Sequence, residues 1–135
     1  MRSFQFSMPV YEEKNGKLGT FEPATIPGFE INRIFYIFDV PKGENRANHA
    51  CMNAAIVFIA ITGSAKIYIE EADGTKEYLL NNKSTAVYAP EASWIRAYDF
   101  SQDAILIGYS NKEYDECQYI NDYSKYKMLT EKGKK

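Results

Sequence analysis

The chain has 135 residues, and 16 Lys and Arg against 18 Asp and Glu give a net charge of −2 at pH 7. This length predicts one domain, residues 1–135, that buries about two thirds of its unfolded surface. No basic stripe is present, so nucleic acid is a poor candidate partner. The apolar run 54–61 is too short to cross a bilayer, and residues 1–10 lack a signal-peptide core. We therefore expect a cytoplasmic protein without membrane contact, with Cys51 and Cys117 as free thiols.

The predicted elements are mainly β-strands, because 11 Tyr and 8 Phe suit pleated, half-buried surfaces. Apolar alternation and turn residues predict strands at 4–8, 18–22, 31–40, 54–62, 65–70, 76–80, 85–89, 94–100 and 104–110. Residues 12–17 are predicted to form a polar turn, and Asp73-Gly74 a hairpin. This regular spacing is typical of an all-β sandwich or barrel.

The last part of the chain follows a different pattern. Near-helical spacing of Ile120, Tyr123, Lys127 and Met128 predicts a short C-terminal helix. Residues from about 130 to 135 form a small basic tail, which we expect to fray.

The strand predicted at 31–40 carries an arginine among large apolar residues. Arg33, Phe35 and Ile37 share one face of it, because side chains alternate along a strand. Arg33 is therefore either a residue that lines a pocket or an edge arginine with a packed stem and a hydrated head.

Residues 46–51 (Arg-Ala-Asn-His-Ala-Cys) contain the only histidine of the chain, His49, and one of its two cysteines, Cys51. They precede the most apolar segment of the protein. Catalytic side chains often lie on a strand end or loop that a packed strand supports. His49 is therefore a candidate catalytic residue, and the alternative is a structural histidine at a strand start.

Several short motifs follow one another along the chain. They are Asn15-Gly16-x-Leu18, Arg33 to Asp39, Arg46-x-x-His49-Ala50, Thr62-Gly63-Ser64, Ala92-Ser93-Trp94, Tyr98 to Ser101, and Tyr114-Asp115-Glu116 followed by Tyr119-Ile120. In this order and spacing they resemble the sugar 3,4-ketoisomerase family of small cupins, also called WxcM-like. The resemblance covers nearly the whole chain.

This resemblance implies a cupin-type jelly-roll β-barrel with a short C-terminal helix, and a homodimer. Members of the family act on a dTDP-linked 4-keto-6-deoxyhexose and move its carbonyl from C4 to C3, without metal or cofactor. Their products supply unusual amino sugars for surface polysaccharides. One histidine also cannot provide the two or three that a metal-binding cupin uses, so we expect no metal site.

A shift of a carbonyl from C4 to C3 is proton transfer through an enediol. It needs a base at C3 and a group that moves protons between the ring oxygens. The resemblance implies that His49 is the base, and its ordinary pKa near neutral suits that role. The family has a second histidine two residues later, where this chain has Cys51. Cys51 is either a different proton shuttle or a small buried residue.

The predicted substrate-binding residues are Arg33, Phe35, Tyr36, Arg46, Tyr88, Trp94 and Arg96. Arg33 and Arg46 are candidates for the diphosphate, because a guanidinium matches phosphate oxygens in a bidentate way. Tyr36, Tyr88 and Trp94 could stack on the base or sugar, although single aromatic residues in a β-barrel usually belong to the core.

Some positions depart from the family. Ala54, Ala55 and Ile56 replace polar residues, and Ile95-Arg96 replaces His-Glu. These changes support an alternative hypothesis: a nucleotide-sugar-binding relative without catalysis, or a partner subunit of an active homologous ketoisomerase. A third hypothesis keeps catalysis but changes the stereochemistry at C4 or gives epimerisation.

Overall fold

The computed structural model describes residues 1–132, which form mainly antiparallel strands. In chain order the elements are β1 (Phe4–Ser7), β2 (Val10–Glu13), β3 (Gly16–Gly19), β4 (Arg33–Phe38), β5 (Arg46–Cys51), β6 (Ile56–Thr62), β7 (Ala65–Glu71), β8 (Gly74–Leu80), β9 (Thr85–Ala89), β10 (Trp94–Tyr98), β11 (Ile105–Ser110), β12 (Tyr119–Ile120) and the helix α1 (Tyr123–Lys132). Single 3₁₀ turns lie at Pro23–Thr25 and Tyr114–Glu116. Within residues 1–132, no helix has the length and apolar character needed to span a membrane.

Two five-stranded sheets pack face to face. The first has the order β1-β9-β6-β11-β4 and the second β12-β5-β10-β7-β8, while β2 and β3 form a separate hairpin. Phe58 and Leu106 of the first sheet belong to the same buried cluster as Ile67, Ile69 and Leu80 of the second. The prediction of an all-β jelly-roll barrel with a short C-terminal helix is confirmed.

Strand β6 is buried on both faces, as its continuous apolar sequence predicts. Phe58 points into the layer between the sheets. Val57 and Ile59 point to the opposite side, where they form a second cluster with Ile26 and Phe29 of the connection between β3 and β4. This connection therefore covers the outer face of the first sheet.

Helix α1 covers the outer face of the second sheet. The hydroxyl of Tyr126, which is 1% exposed, donates to the carbonyls of Glu70 (3.0 Å) and Ala92 (2.8 Å). The Glu70 carboxylate accepts from the Tyr123 hydroxyl at 2.7 Å and pairs with Lys127 at 3.1 Å. Burial alone would raise the pKa of Glu70, but the bonds from Tyr123 and Lys127 bring it below its ordinary value. The carboxylate thus stays charged and anchors the helix.

The N-terminal hairpin corrects one prediction. Residues 12–17 were expected to form a polar turn and 18–22 a strand, but β2 and β3 pair from Val10 opposite Gly19 to Glu13 opposite Gly16. All residues of both strands are exposed. A hairpin with no buried face has no apolar alternation that could be read from the sequence.

The C-terminal elements correct a second prediction. Ile120 belongs to β12 and not to the helix, and Met128 is exposed, whereas Tyr126 carries the buried face. The part of the predicted basic tail at 130–132 continues the helix, and residues 133–135 lie outside the described range.

Gly108 on β11 leaves room for the Phe35 ring, which lies directly opposite on β4. A Cβ at Gly108 would come within 2.1 Å of the Phe35 ring. We expect Gly108→Ala to lower the free energy of unfolding by about 1–3 kcal/mol, because the ring must shift. Urea unfolding of this variant and of Gly19→Ala, where the nearest atoms lie 3.9 Å from the added Cβ, measures the effect. Equal losses in both variants would contradict the expectation.

Candidate active site

A cavity of about 290 Å³ lies between the inner faces of the two sheets. It is lined by Arg33, Phe35, Tyr36, Ile37, Arg46, Ala47, His49, Ile56, Phe58, Ile95, Tyr114 and Tyr119. Most of these lining residues are thus apolar, and a few polar side chains lie among them. This composition is typical of a small-molecule site, in which apolar walls exclude water and a few polar groups orient the ligand.

A bulge in β5 sets the position of His49. On the neighbouring strand β10, Ile95 pairs with His49 but Arg96 pairs with Ala47, so Asn48 is an extra residue. Ala47 (φ 65°) and Asn48 (φ 60°) adopt left-handed backbone conformations that are uncommon for residues other than glycine. Ala47 and His49, on either side of this extra residue, both line the cavity. Such local strain is often found at functional sites.

The surroundings of His49 favour the neutral form of its imidazole. Burial lowers its pKa below 6.5, an interaction with its own backbone partly offsets this, and the positive charge of Arg33 lowers it further. Its Nδ1 is buried and has no hydrogen-bond partner within residues 1–132. A neutral imidazole in an apolar cavity can accept a proton from a bound ligand.

Tyr119 and Arg33 form a hydrogen-bonded polar pair beside His49 in the cavity. The Arg33 Nη2 donates to the Tyr119 hydroxyl at 3.1 Å, and the Tyr119 ring meets the His49 ring edge to face at 4.9 Å. The Arg33 guanidinium also lies 5.3 Å from the Phe35 ring centre and 5.6 Å from that of Tyr114. Of the two interpretations of Arg33, the structure shows the one that lines a pocket.

Tyr114 and Tyr119 were missed as site residues by the sequence reasoning. Both occur in the motif Tyr114-Asp115-Glu116 followed by Tyr119-Ile120, which served only to recognise the family. The alternation of apolar and polar residues in this segment does not indicate that it lies at the cavity. It reaches the site because β12 pairs with β5, with Tyr119 opposite Cys51.

The other predicted residues of β4 and β5 lie at or beside the cavity. Phe35 and Arg46 line it, and Arg46 is exposed to solvent. Tyr36 borders the cavity by its position on β4, but its ring lies on the exposed face and stacks on Phe38 at 5.7 Å.

Three predicted binding residues do not enter the cavity. Tyr88 is buried in the cluster on the outer face of the first sheet. Trp94 packs under helix α1, against Tyr126 at 5.5 Å. Arg96 lies on the outer face of the second sheet, where its guanidinium is 5.0 Å from the Tyr68 ring centre. These placements correct the predicted binding set, because alternation along each strand directs these side chains away from the inner layer.

Cys51 is on the same strand as His49 but does not line the cavity. Its thiol donates to the side-chain carbonyl of Asn53 at 3.2 Å. Burial, together with the neighbouring Cys117 thiol, raises the pKa of Cys51 to about 11. Both cysteines are free thiols in the described structure. Among residues 1–132, no group of three or more His, Cys, Asp or Glu side chains is arranged to hold a metal ion.

The FdtA family profile (WxcM-like, C-terminal) matches residues 2–131. The chain belongs to this family. It is also 28% identical over 123 residues to the TDP-4-oxo-6-deoxy-alpha-D-glucose-3,4-oxoisomerase of Aneurinibacillus thermoaerophilus, with 91% of this chain and 88% of that protein covered.

Two solved structures are similar over nearly their full length. WlaRA, a TDP-fucose-3,4-ketoisomerase from Campylobacter jejuni, has a TM-score of 0.87 at 35% identity, with 96% of each chain covered. QdtA, a sugar 3,4-ketoisomerase from Thermoanaerobacterium thermosaccharolyticum solved in complex with TDP, has a TM-score of 0.90 at 29% identity. That match covers 99% of this chain and 98% of QdtA.

His49 allows a direct test of the site's electrostatics, because it is the only histidine of the chain. We expect its NMR titration midpoint to lie below pH 6.5, so that it stays neutral where an ordinary histidine is half charged. Arg33→Gln removes a nearby positive charge and raises the midpoint, whereas Arg96→Gln, outside the cavity, leaves it unchanged. A wild-type midpoint above 6.5 would contradict this view of the cavity.

Proposed function

We propose that the protein is a nucleotide-sugar 3,4-ketoisomerase. It converts a dTDP-linked 4-keto-6-deoxyhexose into its 3-keto isomer by proton transfer through an enediol. The observation that carries this proposal is a neutral imidazole, with an unpartnered buried Nδ1 within the described structure, in the cavity of a WxcM-like jelly roll. The activities named for the Aneurinibacillus and Campylobacter relatives and the TDP bound to QdtA support the substrate class.

His49 is the base that removes the proton from C3 in this mechanism. The reaction needs a neutral imidazole at the start, which burial and Arg33 both favour. The resulting imidazolium carries the same proton to C4, so that one residue serves both carbon atoms. No metal is used, and the only histidine of the chain could not by itself form a metal centre.

The two arginines of the cavity take different parts. Arg33 is held inside by its hydrogen bond to Tyr119, where its charge favours the negative charge that develops on oxygen during the reaction. Arg46 is exposed at β5 and is the better candidate for the diphosphate, which must lie towards solvent. Phe35 and Ile95 supply the apolar surface against which the deoxysugar packs.

We expect His49→Asn to reduce turnover of a dTDP-4-keto-6-deoxyhexose by at least about 100-fold, because the proton acceptor at C3 is lost. NMR detection of the 3-keto product formed from the dTDP sugar measures the step. Thermal stabilisation by dTDP is the control, and it is retained because the substituted side chain does not hold the diphosphate.

Turnover at the wild-type rate in His49→Asn would refute the role of His49. A wild-type protein that is stabilised by the dTDP sugar but forms no 3-keto product would instead favour the non-catalytic binding relative.

The enzyme acts as a homodimer in this proposal. β4 is an edge strand of the first sheet, and its outer face exposes Ile34, Tyr36 and Phe38 (53–64% exposed). An apolar face on an edge strand favours association with another chain. The free thiols Cys51 and Cys117 and a nucleotide-sugar substrate suit the cytoplasm, where the product enters deoxyamino-sugar and surface-polysaccharide synthesis.

Tyr36→Lys is expected to shift the dimer towards monomer, because a charge is placed on the exposed apolar face of β4. Sedimentation velocity of the wild type and the variant measures this. The matched control is Leu79→Lys, which changes an exposed apolar residue of β8 on the other sheet. A monomeric wild type, or equal dissociation of both variants, would refute this interface.

A further inference from the structure

The proposed isomerisation moves two kinds of proton, and His49 accounts for only one of them. The hydrogen on C3 must reach C4, and a proton must also pass from the oxygen at C3 to the oxygen at C4. A second histidine on β5 would be an obvious group for the oxygen atoms, but that position is Cys51. The second proton-transfer group is therefore a different side chain of the cavity.

Cys51 is poorly placed for this task. Its thiol is buried, donates to Asn53 and does not line the cavity. Burial and the neighbouring Cys117 raise the pKa of Cys51 to about 11, so its thiolate is costly to form. The thiol packs between β5 and the segment that leads into β12, which is a structural position.

Tyr119 is the phenol that the fold brings to His49. The cavity is lined by three tyrosines, but Tyr36 and Tyr114 are 64% and 67% exposed, whereas Tyr119 is half-buried. The centres of the Tyr119 and His49 rings are 4.9 Å apart, so the two side chains border the same part of the cavity. Arg33 donates to the Tyr119 hydroxyl oxygen at 3.1 Å, and this bond does not use the phenol proton.

We propose that Tyr119 is the second catalytic residue of this site, and that it transfers a proton between the two substrate oxygens while His49 transfers hydrogen between the two carbons. This inference rests on the proposed ketoisomerase function. It assigns to the Tyr119 phenol the proton transfer between substrate oxygens for which Cys51 is poorly placed.

The steps balance without any further reactant. His49 takes the proton from C3, the C–H electron pair forms the C3–C4 double bond, and the carbonyl pair moves to the C4 oxygen. That oxygen takes the phenol proton of Tyr119, which leaves an enediol and a phenolate. The phenolate then takes the proton of the C3 oxygen, the C3 carbonyl forms, and C4 receives the proton held by the His49 imidazolium. Both side chains return to their starting states.

The charges around Tyr119 suit a phenol that loses its proton only briefly. Burial and the neighbouring Cys117 thiol raise the pKa of Tyr119, while the hydrogen bond and charge of Arg33 act in the opposite direction. The hydroxyl is therefore protonated when the substrate binds, and the guanidinium stabilises the phenolate that forms during the reaction. Arg33 is a positioning residue in this scheme, since it acts through the Tyr119 oxygen.

The test compares Tyr119→Phe with the wild type on a dTDP-4-keto-6-deoxyhexose. Phenylalanine keeps the ring against His49 and removes only the hydroxyl. We expect kcat to fall about 100-fold or more, with KM changed by less than about threefold. The matched control is Tyr109→Phe, which removes a half-buried phenol from the outer face of the first sheet and leaves kcat unchanged.

A kcat of Tyr119→Phe within threefold of an active wild type would overturn this inference and leave the proposed function intact. An inactive wild type would overturn the proposed function itself, and the inference with it. If Tyr119→Phe lowers the melting temperature much more than Tyr109→Phe does, Tyr119→fluorotyrosine provides the second measurement. Its more acidic phenol should shift the alkaline limb of the kcat profile to lower pH, and an unshifted limb would overturn the inference.

Discussion

The apolar layer between the two sheets is the constraint on which the rest of the structure depends. Phe58 and Leu106 meet Ile67 and Ile69 there, and the same layer leaves the cavity beside them. Buried polar atoms without partners reduce stability, so the unpartnered Nδ1 of His49 within the described residues is tolerated only because the surrounding packing is extensive. The burial that imposes this cost also makes the imidazole neutral and therefore a base.

Residues on the outer face of the second sheet stabilise the β5 bulge next to His49. Trp94 donates to the side chain of Asn48, the extra residue of the β5 bulge, at 3.3 Å. Trp94 is in turn covered by Tyr126 of helix α1. The Tyr126 hydroxyl also donates to the Ala92 carbonyl. Through Trp94, the helix thus stabilises the bulge that sets the position of His49. Local backbone strain persists where the surrounding structure determines it in this way.

Strand alternation predicted much of the fold, but only part of the site. It correctly placed Arg33 and Phe35 on the same face of one strand, since both side chains follow the period of a half-buried strand. It could not tell which face of the strands carrying Tyr88 and Arg96 turns inward, because apolar or aromatic residues occupy both sides. The β2–β3 hairpin was missed because neither of its faces is buried.

The sequence by itself determined the all-β fold, the two-sided burial of β6, the family and the candidate base His49, since these depend on residue type, period and motif order. Only the tertiary structure decided that Cys51 is turned to Asn53 and Cys117, and that Tyr119 faces His49 beside Arg33. The physical reason is the pairing of β12 with β5, which joins residues about 70 positions apart in the chain. Such a contact depends on how the strands pair, and neither local propensity nor spacing encodes it.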